Sequence, residues 1–119
     1  MRRPEQTLHF AVAAYLTTVL DPSKSFWTTI GHGGGGRVRG SMLKHMGMKA
    51  GVADVLICWP HCVLWIELKA PRGKISPEQV AFGQRVGSLG HLYHICRSLD
   101  EVAAVLEHHA PPMRGRIAA

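Results

Sequence analysis

The sequence has little negative charge and no long apolar segment. Its 119 residues include 14 Lys and Arg but only 8 Asp and Glu, which gives a formal net charge of +6 with neutral histidines. No apolar run approaches the roughly eighteen residues that a transmembrane helix needs. The basic N-terminus runs into Glu5, Gln6 and His9 instead of an apolar signal segment. We therefore expect a cytoplasmic protein without a membrane partner, and the positive charge favours nucleic acid as the partner.

Cysteine is also scarce. Cys58, Cys62 and Cys96 are odd in number, and each lies in or beside an apolar segment. This favours reduced thiols over a disulfide framework. Structural zinc is the alternative, because Cys58 and Cys62 have His61 between them. Three further ligands could come from another strand, where His91, His94 and Cys96 alternate. A tetrahedral zinc site needs four ligands, however, and the sequence has no second paired motif.

A chain of this length forms one domain around one hydrophobic core. We predict that the domain covers residues 1–110 and that residues 111–119, with Arg114 and Arg116, form a flexible basic tail. The apolar spacing predicts the element order helix, strand, helix, strand, strand, helix, strand, helix. The third helix begins at Ser76, where Ser, Pro and Gln occupy the cap, first and third positions. Among the apolar residues expected to be buried on the second and third helices are Met42, Met46, Phe82, Val86 and Leu89.

The most informative residues are Asp54 and, thirteen residues later, Glu67 followed by Lys69. They lie in two apolar runs, residues 51–58 and 63–69, whose short connection predicts a β-hairpin. Glu67 and Lys69 are two apart on a strand, so their side chains emerge on the same face. Burying these charged side chains costs free energy unless each is paired with an opposite charge or hydrogen-bonded. Two carboxylates can hold Mg²⁺, and a lysine can orient or deprotonate an attacking water. The alternative is a cross-strand salt bridge without chemistry.

Two further polar side chains are candidates for the same site. Glu5 lies at the inward edge of the first helix, which runs to Val19. It is either a favourable acid in the first helical turn or a third carboxylate of the site. Gln79 completes the capping box at Ser76, contacts substrate, or does both.

The glycine-rich segment 31–36, followed by Arg37 and Arg39, has the most unusual composition of the chain. Its glycines allow backbone N–H groups to approach an anion, although the Gly-Lys-Ser/Thr ending of a P-loop is missing. It is either a flexible connector or a mobile phosphate-contacting loop, and the adjacent arginines favour the loop. The candidate contacts to a DNA backbone are Arg37, Arg39, Lys44, Lys49, Arg72 and Lys74. Phosphate contacts carry little sequence information, so we expect selectivity for DNA structure over base sequence.

Three ordered segments resemble the VRR-NUC family of the PD-(D/E)XK nuclease superfamily. They are Gly-Val-Ala-Asp at residues 51–54, residues 66–79 with the Glu-Leu-Lys triplet, and residues 90–101. The similarity extends from Glu5 to about His108, with Ala53 standing where the family often has proline. It implies an α/β fold of the restriction-endonuclease type, in three α/β/α layers with a central mixed four-stranded sheet.

The resemblance also implies a Mg²⁺-dependent DNA endonuclease in which Mn²⁺ can substitute. Asp54, Glu67 and the Leu68 carbonyl would bind the metal. Lys69 would position the water, Gln79 would support the site, and Glu5 would match the acid often found on the first helix.

The chain is similar to the compact standalone members of the family, which occur in phages and bacteria and resemble Holliday-junction resolvases in size. The cytoplasm of a bacterium or of a phage-infected host is therefore the expected location. Symmetric cutting of a junction needs two active sites, so we expect a homodimer that acts on branched or structured DNA. Two other functions stay open: a noncatalytic nucleic-acid-binding module on the same fold, and a small metal-binding regulator that uses the histidines and cysteines.

Overall fold

The computed structural model describes residues 3–30 and 36–115, and for residues 36–39 it describes the backbone only. The elements follow the predicted order. They are α1 (Pro4–Val19), β1 (Phe26–Thr29), α2 (Gly36–His45), β2 (Val55–Trp59), β3 (Cys62–Leu68), α3 (Pro77–Ser88), β4 (Leu92–Cys96) and α4 (Leu99–His109). Within these ranges no helix combines the length and the apolar character needed to cross a bilayer.

The four strands form one mixed sheet in the order β1-β2-β3-β4. β1, β2 and β3 are antiparallel neighbours, whereas β4 runs parallel to β3. The pairing of Trp59 with Cys62 leaves a two-residue hairpin loop, in which His61 takes a positive φ of 65°. α3 provides the crossover that a parallel β3–β4 pair requires.

The main core lies between one face of the sheet and the helices α1 and α4. Side chains alternate along β3, so Leu64, Ile66 and Leu68 point into this core while Trp65 and Glu67 point to the other face. The buried core residues are Val12, Leu16, Leu20, Val55, Ile57, Leu64, Ile66, Leu68, Cys96, Val102 and Leu106. The predicted three-layer α/β/α architecture is confirmed, because α3 covers the opposite face.

α3 packs on that second face through aromatic contacts. The Phe82 ring centroid lies 5.1 Å from that of Trp65 and 6.0 Å from that of Tyr93. The close approach depends on Gly83, where a Cβ would stand 2.6 Å from the Tyr93 ring. Glycine at this position therefore allows α3 to pack closely against β4.

Three apolar residues predicted to be buried on the helices are exposed: Met42 by 57%, Met46 by 76% and Leu89 by 56%. Among residues 40–45, the part of α2 whose side chains the structure describes, Leu43 is the half-buried residue, so the predicted burial of Met42 and Met46 was wrong. α2 combines glycines and basic residues with few apolar side chains, so it has little surface to bury. Leu89 is the C-cap of α3, where the helix has ended.

The first residues of the predicted tail belong to the folded domain. Met113 forms an isolated β-bridge with Leu20 at the end of α1. The Asp21 N–H donates to the Pro112 carbonyl at 3.0 Å, and the Arg114 N–H donates to the Val19 carbonyl at 2.7 Å. The folded part therefore continues past residue 110, and residues 116–119 of the predicted tail lie outside the described residues.

Candidate metal centre

Asp54 and Glu67 meet where the β2–β3 hairpin opens. Val55 pairs with Ile66, so Asp54 and Glu67 occupy the next opposed positions. Both are almost completely buried, with exposures of 6% for Asp54 and 2% for Glu67. Burying two acidic side chains side by side costs free energy, because both lose their hydration and their negative charges repel each other. A cation between them would compensate for this cost.

The hydrogen bonds around the two carboxylates leave one oxygen unsatisfied. The Leu68 N–H donates to Oδ2 of Asp54 at 2.8 Å, which holds that carboxylate beside the end of β3. Oε2 of Glu67 accepts from the Gln79 amide at 3.0 Å. Oε1 of Glu67 is buried and, among the described residues, has no hydrogen-bond partner. A buried carboxylate oxygen without a partner suits a hard cation such as Mg²⁺.

The electrostatics of Glu67 agree with this geometry. Burial makes the largest contribution to raising its pKa to about 8, and the negative charge of Asp54 and a hydrogen bond that protonated Glu67 can share with Asp54 contribute to the same increase. The positive charge of Lys69 lowers the pKa of Glu67, and the negative charge of Glu5 raises it. A divalent cation between the two carboxylates would favour their ionised forms.

Glu5 and His9 approach the site from α1. Glu5 is exposed in the first turn, and its charge acts on Glu67, as expected for an acid near the site. His9 lies one turn later, with its Nε2 atom 3.9 Å from Oδ2 of Asp54. The sequence reasoning missed His9. Its position four residues after Glu5, on the same helix face, was the available signal.

Lys69 follows directly after β3 and is half-buried. Its N–H donates to the Cys96 carbonyl at 3.0 Å, which continues the pairing of β3 with β4. Gly73 lies beside its stem, since a Cβ at Gly73 would stand 3.4 Å from Lys69 Cδ. The positive charge of Lys69 lowers the pKa of Glu67, so the ammonium group lies near enough to that carboxylate to act on it.

Gln79 completes the predicted capping box of α3 and also contacts Glu67. Its N–H donates to Ser76 Oγ at 3.1 Å, and the Ser76 N–H donates to its Oε1 at 2.9 Å, which completes the capping box. With Oε1 used by the cap, the amide nitrogen points to Glu67. Gly51, with a φ of +77°, allows this arrangement, because a Cβ there would overlap the Glu78 carbonyl.

The predicted DNA-contacting residues fall into three groups. Arg72 and Lys74 are exposed on the turn that follows Lys69, close along the chain to the candidate site. Lys44 in α2 and Lys49 beyond it are exposed as well. The predicted phosphate loop lies almost entirely outside the described residues, as do the side chains of Arg37 and Arg39, whose backbones belong to α2.

A zinc site of the kind considered from the sequence is not formed in the part of the chain that the structure describes. There, no group of three or more His, Cys, Asp or Glu side chains is placed to hold a metal ion. His94 instead contacts His109, with 2.8 Å between their Nε2 atoms. Cys58, Cys62 and Cys96 are free thiols. A cation between Asp54 and Glu67 would therefore draw its other ligands from backbone carbonyls, water or substrate.

Comparison of structures, and not of sequences, relates this chain to a known protein. No family model matches the sequence. No curated protein matches it either. A solved structure described as a VRR_NUC domain protein superimposes with a TM-score of 0.68 and 16% identity, over 91% of this chain and 88% of the other. The predicted fold is thus confirmed: the chain has the fold of this VRR_NUC domain protein.

Proposed function

We propose that the protein is a metal-dependent DNA endonuclease that hydrolyses phosphodiester bonds, with Mg²⁺ as its metal and Mn²⁺ as a substitute. The observation that carries the proposal is the buried pair Asp54 and Glu67, with an unsatisfied Glu67 oxygen and Lys69 beside it. The fold shared with a VRR_NUC domain protein supports the same reading. A plain cross-strand salt bridge would leave no carboxylate oxygen of the pair buried and unpaired.

Each residue of the site has a definite part in this chemistry. Asp54, Glu67 and the Leu68 carbonyl would hold the ion, which would polarise a phosphoryl oxygen and lower the pKa of a bound water. Lys69 orients the attacking water and stabilises the negative charge that develops on the phosphate. Gln79 fixes the Glu67 carboxylate by its amide hydrogen bond. Glu5 adds negative charge at the edge of the site and favours retention of a cation.

DNA is the polyanion that fits the surface around this site. Arg72 and Lys74 are exposed and follow Lys69 closely along the chain, and we assign them contacts to the DNA backbone. The exposed Lys44 and Lys49, together with Arg37 and Arg39, complete the proposed set of phosphate contacts. Because such contacts go to phosphates, we propose selection by DNA structure, with branched DNA such as a Holliday junction as the substrate class.

A homodimer follows from that substrate class. Symmetric cutting of a junction needs two active sites, and the described chain holds one candidate site. Sedimentation of the protein with and without a four-way junction tests this part separately. A 1:1 complex of one chain with one junction would contradict it.

The nuclease proposal is tested with junction, flap, splayed and linear duplex substrates, each incubated with Mg²⁺, Mn²⁺ or EDTA. We expect metal-dependent cleavage that is fastest on a branched substrate and absent in EDTA. The matched control is Lys69→Met, which keeps much of the apolar stem and loses the ammonium group. DNA binding without cleavage under any metal condition would instead identify a noncatalytic binding module.

A further inference from the structure

Arg97 donates hydrogen bonds to the turn that follows Lys69. It comes directly after β4 and is half-buried. Its Nη1 atom donates to the carbonyls of Ala70 and Gly73, both at 2.8 Å, and more weakly to that of Pro71 at 3.3 Å. This nitrogen carries two N–H groups and meets three carbonyl acceptors of a single turn, through charge-assisted hydrogen bonds that are stronger than neutral ones.

The backbone of Arg97 is itself fixed at the start of α4. Its N–H donates to Oε1 of Glu101 at 2.6 Å, and the Glu101 N–H donates to Ser98 Oγ at 3.1 Å. The preceding Cys96 carbonyl accepts from the Lys69 N–H. The guanidinium therefore links a capped helix end to the turn at the end of the neighbouring strand.

The turn determines where the Lys69 side chain can go. The Gly73 N–H donates to the Ala70 carbonyl at 2.9 Å, which closes the turn and brings Gly73 against the Lys69 stem. A free lysine side chain samples many rotamers. Backbone packed beside its stem limits those rotamers, so less conformational entropy is lost when the ammonium group takes up one position. The same turn carries Arg72 and Lys74.

We propose that Arg97 is a positioning residue, which holds residues 70–73 so that Lys69 is placed for the reaction before substrate binds. The inference rests on the proposed function, since it assigns Arg97 a part in that reaction. Arg97 touches neither the carboxylate pair nor a substrate in this assignment, and it acts through the turn.

The kinetic test compares Arg97→Gln and Arg97→Lys with the control Arg85→Gln, which removes the same charge from an exposed position on α3. A misplacement of about 1 Å can cost about a hundredfold in rate, so we expect Arg97→Gln to lower kcat by about ten- to a hundredfold. KM should change by less than about threefold, because Arg72 and Lys74 keep their charges. Arg97→Lys should recover part of the loss, and Arg85→Gln should match the wild type.

A second readout needs no nuclease activity. The turn contains the trypsin sites after Arg72 and Lys74. We expect Arg97→Gln to be cut there about tenfold faster than wild type under native conditions, because a held turn must open before a protease can use it. Cleavage after Arg85 is the internal reference. If Arg97→Gln fails to fold, kcat and the trypsin cleavage rate of Arg97→Lys test the inference, with smaller changes in the same directions expected.

The outcomes separate the two proposals. Faster trypsin cleavage with an unchanged kcat would show that Arg97 holds the turn without serving the reaction, which overturns the inference. An unchanged trypsin rate overturns it as well. A wild type that cleaves no DNA would refute the proposed function and with it the positioning of Lys69 for that reaction by Arg97, while the trypsin rates would still decide whether Arg97 holds the turn.

Discussion

Replacing Glu67 with glutamine should stabilise the metal-free protein, and the gain should grow with pH. The pKa of Glu67 is raised from 4.5 to about 8 by burial and by Asp54. A group with a raised pKa contributes stability that is full below about pH 4.5 and is lost as the pH rises through about 8. Glutamine cannot ionise, so Glu67→Gln avoids that loss.

The magnitude follows from the size of the shift. One pKa unit corresponds to about 1.4 kcal/mol, so a shift from 4.5 to about 8 gives an upper limit of about 5 kcal/mol for ionising Glu67. Buried sites respond with an effective dielectric constant well above that of dry protein, which lowers this cost. We therefore expect Glu67→Gln to raise the free energy of unfolding by roughly 2–3 kcal/mol at pH 9.

The assay is denaturant unfolding of the wild type, Glu67→Gln and the control Glu107→Gln, an exposed acid on α4, at pH 5 and pH 9 in EDTA. Glu67→Gln should gain stability over wild type at pH 9 and much less at pH 5. Added Mg²⁺ or Mn²⁺ should favour the wild type, by about 2.7 kcal/mol at a hundred times its dissociation constant. A variant that loses stability equally at both pH values would refute the reasoning and support a salt bridge between Glu67 and Lys69.

Three other predictions concern separate parts of the molecule. Lys69→Ala should abolish cleavage while Mn²⁺ and DNA binding persist, as judged by single-turnover assays beside binding titrations; a fully active variant would remove Lys69 from the mechanism. The double change of Arg72 and Lys74 to Ala should weaken binding to all DNA structures about equally and reduce the salt slope by about 2 in anisotropy titrations. A loss confined to one base sequence would contradict this assignment. Burial, together with neighbouring histidine charges, lowers the pKa of His94 and of His109. Their contribution to stability is therefore full above about pH 6.5 and is lost as the pH falls through the lowered pKa values. His109→Gln should make the melting temperature of the Mg²⁺-loaded protein depend less on pH between pH 7.5 and pH 5. An equal pH dependence in the wild type and the variant would contradict this prediction.

The carboxylate pair could be predicted because it depends on local rules. A two-residue loop fixes the register of the β2–β3 hairpin, which brings Asp54 and Glu67 together. Alternation along β3 places Lys69 on the same side. The contact of Gln79 with Glu67 was also open to prediction, because the capping box at Ser76 fixes which end of the amide is free.

Other features depend on contacts between residues far apart in sequence. The hydrogen bonds of Arg97 to the turn at residues 70–73 have no pattern in the sequence, because they join the end of β4 to the end of β3. Met113 pairs with Leu20 across almost the whole chain, so a Pro-rich segment that suggests a tail is packed instead. Met42 and Met46 keep helical spacing, but α2 has too few apolar residues for that spacing to imply burial.

Binding of Mn²⁺ to the metal-free protein tests the central claim most directly. In calorimetric titrations, the wild type and Glu107→Gln should bind Mn²⁺ alike, since Glu107 lies on exposed α4 surface. Asp54→Asn and Glu67→Gln should each bind at least about tenfold more weakly, because each change removes one of two anionic ligands. Equal binding by wild type and Asp54→Asn would show that the carboxylate pair is not a metal centre and would contradict the nuclease proposal.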